Sequence, residues 1–277
     1  MRKLTAILLV IAVFTGLCTV SAEAPKTELI VFAAASLTES LTEIKVMYEE
    51  EHPEIELIFS FESSGTLKTQ IQEGADCDVF ISAGQKQMNQ LDISKDAENN
   101  PERLDYVLEG SRTDLLENKV ALVLPENPKK EIGSFDALAE LLKDGDVLMA
   151  MGNADVPVGQ YTQKILTYYG LDEEALARAG KISYGTNVKE VTTQVAEGSV
   201  DCGVVYGTDA FSAGLAVTDT ATAEMCGQVI YPAAVMKNSL APEAAQAFLD
   251  YLRSDAAMRV FEGIGFTGIR MEETKAQ

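Results

Sequence analysis

Histidine is almost absent from this chain: His52 is the only one in 277 residues. It sits at the Glu-rich end of an amphipathic stretch, just before Pro53, a solvated position rather than a catalytic one. A serine nucleophile activated by an imidazole is therefore disfavoured. Cysteine is sparse too, with four in the chain and no CxxC spacing, which argues against a zinc site or a redox dithiol. Cys18 falls in the N-terminal stretch; Cys77, Cys202 and Cys226 remain, an odd set that allows at most one internal bridge. Cys202 with Cys226 is one arrangement, and three buried thiols is the other. Bases are few, 22 against 43 acids, for a net charge of -21. A surface so acidic repels nucleic acid and anionic lipid. The chain has no GxxxxGK[ST] loop for nucleotide phosphates. After the first 22 residues no stretch is long and apolar enough to span a bilayer.

What is present begins with an export signal over residues 1–22. Met1-Arg2-Lys3 gives a positive start, Leu4 to Val20 is apolar, and Val20-Ser21-Ala22 offers small residues for cleavage. Cleavage there removes Arg2 and Lys3 but no acid and takes the net charge from -21 to -23. Leu17 before Cys18 departs from the usual lipoprotein pattern, which weighs against acylation of Cys18 and keeps it as the alternative. Periplasm and the outer face of the cell membrane both stay open as destinations.

Short apolar runs then alternate with amphipathic stretches. Leu29 to Phe32, Ile55 to Phe61 and Asp78 to Ser82 read as strands, with helices from Leu37 to a stop at His52-Pro53 and over Thr66 to Glu73. A polar loop covers Asp92 to Pro101. A second series follows: strands at Lys119 to Leu124, Val147 to Met151, Cys202 to Tyr206 and Val229 to Met236, and helices over Ser134 to Lys143, Gly159 to Tyr169 and Lys189 to Glu197. Two helices split near Ser254-Asp255 fill Pro242 to Phe261. This alternation predicts an α/β protein with parallel sheets and helices on both faces. It further suggests two lobes with a cleft between them: residues 23–121 with 232–277, and residues 122–231.

Small polar residues recur where a helix starts after a strand: Ala35-Ser36-Leu37-Thr38, Ser63-Ser64-Gly65-Thr66, Val156-Pro157-Val158-Gly159 and Thr186-Asn187-Val188. Ligands of α/β sheets bind at the carboxyl ends of strands. A helix N-terminus there offers unpaired N–H groups and the positive end of its dipole, an anion site without a charged side chain. Each motif also has a purely local role. Ser36-x-x-Glu39 matches a capping box, Ser63 and Ser64 a cap and a turn, Pro157 a preferred first-turn residue, and Thr186-Asn187 an ordinary cap. Tyr206 ends an apolar strand, by default a core aromatic with its hydroxyl at the rim. A Ser64–Lys68 pair, the remaining nucleophile arrangement, has ordinary helix-surface spacing. The recurrence of these starts in both halves is what favours an anion site.

At these residues the chain resembles the periplasmic molybdate-binding proteins of ABC transporters. The motifs are VFAAASLTESL (Val31 to Leu41), SFESSGTLKTQI (Ser60 to Ile71), DVFISAGQKQM (Asp78 to Met88), VPVGQY (Val156 to Tyr161), GVVYGTDA (Gly203 to Ala210), YPAAV (Tyr231 to Val235) and Gly265-Phe266. The resemblance implies a two-lobed type II periplasmic-binding-protein fold closing on a dehydrated oxyanion, molybdate or tungstate. It implies ligand contacts from the hydroxyl and N–H of Ser36 and of Ser64, the backbone N–H of Val158 and of Val188, and the hydroxyl of Tyr206. Molybdenum would enter as its oxyanion through these same residues. Val158 stands where the family often has alanine, and Gly65 where some members have serine. The resemblance further implies a membrane permease as partner, a monomer, no cofactor and no catalysis. The rivals are a binding protein for another tetrahedral oxyanion such as sulfate, and an exported serine hydrolase. A small-carboxylate site would want an Arg clamp, and no Arg lies in the helix-start motifs.

Net charge does not oppose an anionic ligand. Surface acids are screened beyond roughly 8–10 Å, and inside a closed cleft each charge-assisted hydrogen bond contributes about 1.5–3 kcal/mol. A donor-only site also prefers a fully ionised oxyanion to hydrogen phosphate, whose O–H would face a donor. Sulfate passes that filter and must be rejected by size.

Overall fold

The computed structural model describes residues 25–269; the expected export signal and Cys18 lie outside the described residues. From the first of these the chain runs β1 (Thr27–Ala34), a 3-10 turn (Ala35–Leu37), α1 (Thr38–Glu51), β2 (Ile55–Glu62), α2 (Ser64–Gln72), β3 (Val79–Ile81), α3 (Gln85–Asn89) and β4 (Thr113–Asn118). It continues through β5 (Val120–Leu124), α4 (Phe135–Asp144), β6 (Met149–Gly152), α5 (Pro157–Tyr168), α6 (Glu173–Arg178), β7 (Ile182–Gly185), α7 (Val188–Ala196), β8 (Cys202–Tyr206), α8 (Gly207–Ser212), β9 (Ala216–Thr220) and α9 (Ala223–Cys226). It ends with β10 (Val229–Val235), α10 (Pro242–Tyr251), α11 (Asp255–Ile264) and β11 (Thr267–Gly268).

Two sheets divide these strands between two lobes. The first has the order β11-β4-β10-β3-β1-β2 and the second β7-β6-β8-β5-β9. The chain passes from the first sheet to the second at Lys119 and returns between Thr220 and Val229. Both sheets are mixed, which corrects the expectation of parallel ones. β1 pairs in parallel with β2 and β3, but β10 lies antiparallel between β3 and β4. In the second sheet β6 is parallel to β7 and β8, whereas β5 is antiparallel to β8 and β9. Helical crossovers enforce parallel pairing; β5 and β10 are instead reached by stretches that pass between the sheets, so no crossover sets their direction.

β1 shows why the first apolar runs are continuous. Leu29, Val31 and Ala33 face one core cluster, with Leu41, Ile44 and Tyr48 of α1. Phe32 faces the other, with Leu67 and Ile71 of α2 and Met88 of α3. Both faces of this strand are covered, so both must be apolar. Tyr48 anchors the returning C-terminal helix, meeting Phe248 and Tyr251 edge to face at 5.0 and 4.9 Å. Caps mark the helix starts that the pattern proposed: Ser63, Ser134, Asn187 and Ser254 each accept a backbone N–H of their own first turn.

Cys77, Cys202 and Cys226 are buried free thiols, so the Cys202–Cys226 bridge does not form. Cys202 lies inside β8 in the second sheet, where burial pushes its thiol up to about 12, while the Cys226 sulfur turns to the carbonyls of Thr222 and Gly227.

Candidate functional site

Four helical starts meet where the lobes face each other. The 3-10 turn before α1 and the start of α2 come from the first lobe, and the starts of α5 and α7 from the second. Together they line a small cavity with Ser36, Ser64, Ala83, Pro157, Val188 and Tyr206. Its free volume is about 10 Å³, the room of about one water molecule, far below the roughly 300–1,000 Å³ of sites for drug-sized organic ligands. Neither lysine nor arginine is among its lining residues.

Four of the five expected residues, Ser36, Ser64, Val188 and Tyr206, line this cavity directly. Val158 lies one position further along α5 than the lining residue Pro157, and is fully buried. Val158 and Val188 occupy the first turns of α5 and α7, where backbone N–H groups have no carbonyl of their own helix to meet. Pro157 at the first position of α5 lacks an N–H and loses nothing there.

Ser36 is not a cap, contrary to the capping-box pattern. Leu37 precedes α1 without a side-chain cap, and the Ser36 hydroxyl instead shares a 2.9 Å hydrogen bond with the Tyr231 hydroxyl. Asn118 donates to Tyr231 at 3.2 Å and to the Thr208 hydroxyl at 2.9 Å, so a buried polar chain joins the site to the crossing between the sheets. Ser63 takes the capping role for α2, which leaves the fully buried Ser64 hydroxyl free to accept from the N–H of Ala83 at 2.9 Å. Tyr206 donates across the cleft to the carbonyl of Ala83 at 3.3 Å. Burial pushes the phenols of Tyr206 and Tyr231 well above their usual range, so both remain protonated donors.

Tyr231, Asn118 and Glu62 went unassigned in the sequence. Tyr231 stood within YPAAV, yet only the fold puts it against Ser36, 195 positions away. Glu62 lines the cavity and accepts from the side chain of Asn187 in the other lobe at 3.3 Å. The imidazole does not serve the site serines: His52 is at the far end of α1, 3.5 Å from Glu54, its ring tilted against that of Tyr48 at 4.4 Å. Nor does any group of three or more His, Cys, Asp or Glu among the described residues form a metal-binding cluster.

A family model described as "Bacterial extracellular solute-binding protein" matches residues 29–267. The chain belongs to this family. A Bacillus subtilis relative that carries the name of an ABC transporter substrate-binding lipoprotein is 35% identical to this solute-binding protein, over 95% of each chain. The molybdate-binding protein of Haemophilus influenzae is 32% identical, over 86% of this chain and 89% of that one. Among solved structures, the periplasmic molybdate-binding protein of Azotobacter vinelandii superposes with a TM-score of 0.72 at 22% identity, covering 87% of this chain and 100% of its own. At that identity the likeness speaks for the two-lobed fold.

Proposed function

We propose that this solute-binding protein captures molybdate or tungstate outside the cytoplasm and delivers it to the permease of an ABC transporter. The observation that carries this reading is the convergence of helix starts from both lobes on a small cavity that holds the hydroxyls of Ser36, Ser64 and Tyr206 and no cationic side chain, its one acid, Glu62, being engaged by Asn187. Such a cavity suits a small, fully ionised tetrahedral anion. Relatives named for molybdate binding support the choice of anion.

In this reading Ser36 and Ser64 give hydroxyl and N–H, Val158 and Val188 give backbone N–H, and Tyr206 gives its hydroxyl. The Tyr206–Ala83 and Ser36–Tyr231 hydrogen bonds yield to the ligand's oxygens on binding. We place the lobe limits where the chain changes sheets, a few residues before those read from the pattern. The protein acts as a monomer without catalysis, exported to the periplasm or held on the outer face of the membrane. No helix among the described residues is long and apolar enough to cross a membrane.

The test is a thermal melt of the mature protein with molybdate, tungstate, sulfate, phosphate or no addition. Ligand at about a thousand times its Kd adds about 4 kcal/mol, a rise of roughly 8–16 °C for a protein of this size. Rises confined to molybdate and tungstate are expected. An equal rise with sulfate would make this a general oxyanion binder, and no rise with any anion would overturn the reading.

A further inference from the structure

Lys189 follows Val188 in the first turn of α7, in the second lobe. Its ammonium reaches both carboxylate oxygens of Glu39 at 2.8 Å, and Glu39 stands in α1 of the first lobe, three residues after Ser36. The same ammonium lies 3.0 Å from Oδ1 of Asp209 in α8, within its own lobe. We infer that Lys189 is a positioning residue: by pairing with Glu39 when the lobes close, it holds the Val188 N–H against Ser36 around one anion. This rests on the oxyanion reading of the cavity.

The distribution of burial supports a contact that forms and breaks. The Asp209 side chain is 0% exposed, and the Lys189 ammonium is the cation that meets its carboxylate. Removing that cation would strand a buried charge. Glu39 is 43% exposed and meets water on its own. When the lobes part, Lys189 keeps Asp209 and loses only Glu39. Opening therefore leaves no buried charge unpaired. Asn187, two residues earlier, pairs with Glu62 across the cleft in the same way, so the start of α7 is tied to the first lobe on both sides of Val188.

Glu39→Gln is the discriminating variant, because it spares the Lys189–Asp209 pair. By charge alone, removing an acid beside an anion site tightens anion binding; loss of the pairing loosens it. Molybdate binding and release are measured by calorimetry and stopped flow, and the lobe-to-lobe distance by pulsed electron resonance with spin labels at Val46→Cys and Val217→Cys, both exposed and in different lobes. We expect about 3- to 10-fold weaker molybdate binding, carried by faster release, a longer distance in part of the liganded population, and an unchanged melting temperature without ligand. Tighter or unchanged binding, or weakening through the association rate alone, would overturn the role. If the wild type binds no oxyanion, the function fails first, and the role of Lys189 is then decided by distance without ligand: equal distributions in wild type and Glu39→Gln would sink it.

Discussion

The backbone N–H of Gly65, second residue of α2 in the first lobe, donates to the carbonyl of Asp155 in the second lobe at 3.1 Å. A Cβ on Gly65 would lie 2.2 Å from that oxygen. The requirement is space: two backbones touch where the lobes meet, beside the Ser64 hydroxyl. Glycine at this position therefore sets how closely the second lobe can approach.

Gly65→Ala separates closure from folding. In a helix alanine is favoured over glycine by about 0.5–1 kcal/mol, so the ligand-free protein should melt no lower than the wild type. Molybdate binding should weaken about tenfold or more, about 1.4 kcal/mol, because the lobes stop short. Calorimetry beside a melting curve checks both halves. Unchanged affinity would mean that the Gly65–Asp155 contact is not part of the liganded state.

That contact also marks where sequence reading stops. The runs over β1, β5 and β8 were legible because their buried stretches are continuously apolar, β2 because its β-branched and aromatic residues mark a strand, and Ser134 and Ser254 announced helices by ordinary capping. β4, with Thr, Asp, Glu and Asn among its residues, β7 and the largely exposed β9 were missed, since such strands carry little apolar signal. Ser36, Ser64 and Val188 stand in helix starts whose local chemistry suits an anion, Tyr206 joined them only through the family resemblance, and the fold brings all four to one cavity. Glu39 looked like half of a capping box, and nothing local pairs it with Lys189, 150 positions on. Likewise Asp209 stands unremarked within GVVYGTDA, and only the fold shows it buried.

Ser64→Ala should act on folding and on binding. The Ser64 hydroxyl accepts from the Ala83 N–H in a fully buried position, so the substitution leaves that N–H without its partner. Denaturant unfolding of the free protein should show a loss of about 1–3 kcal/mol. Molybdate affinity should fall by a similar amount, as one donor is stripped from a buried anion. Unchanged affinity in calorimetry would remove Ser64 from the site.

Tyr206→Phe isolates a hydroxyl. The ring packs edge to face on Tyr231 at 5.7 Å and on Tyr161 at 6.4 Å, contacts that phenylalanine keeps. Stability should fall by about 1 kcal/mol or less, for the single 3.3 Å bond to Ala83. Molybdate affinity should fall by about 1–3 kcal/mol. Calorimetry with both anions reads the role: an equal fall for sulfate assigns the hydroxyl to strength, and a larger fall for molybdate assigns it to selectivity.

Asp209 should leave a signature in the pH dependence of stability. Burial raises its carboxyl from 3.8 to about 6, with Lys189 pulling partly the other way. The folded state thus holds this proton more tightly than the unfolded chain, so the contribution of Asp209 to stability falls as pH rises from about 4 to about 6 and is level above. Asparagine has no proton to lose. The lowered carboxyls of Asp92, Asp96 and Asp201 push stability the opposite way, but they are common to both proteins and cancel in the difference. Urea unfolding of wild type and Asp209→Asn at pH 4, 5, 6 and 7 should show the gap moving in favour of the variant by about 2 kcal/mol between pH 4 and 6. Movement in favour of the wild type would mean that the Lys189 charge outweighs burial and that the Asp209 carboxyl sits below its ordinary value.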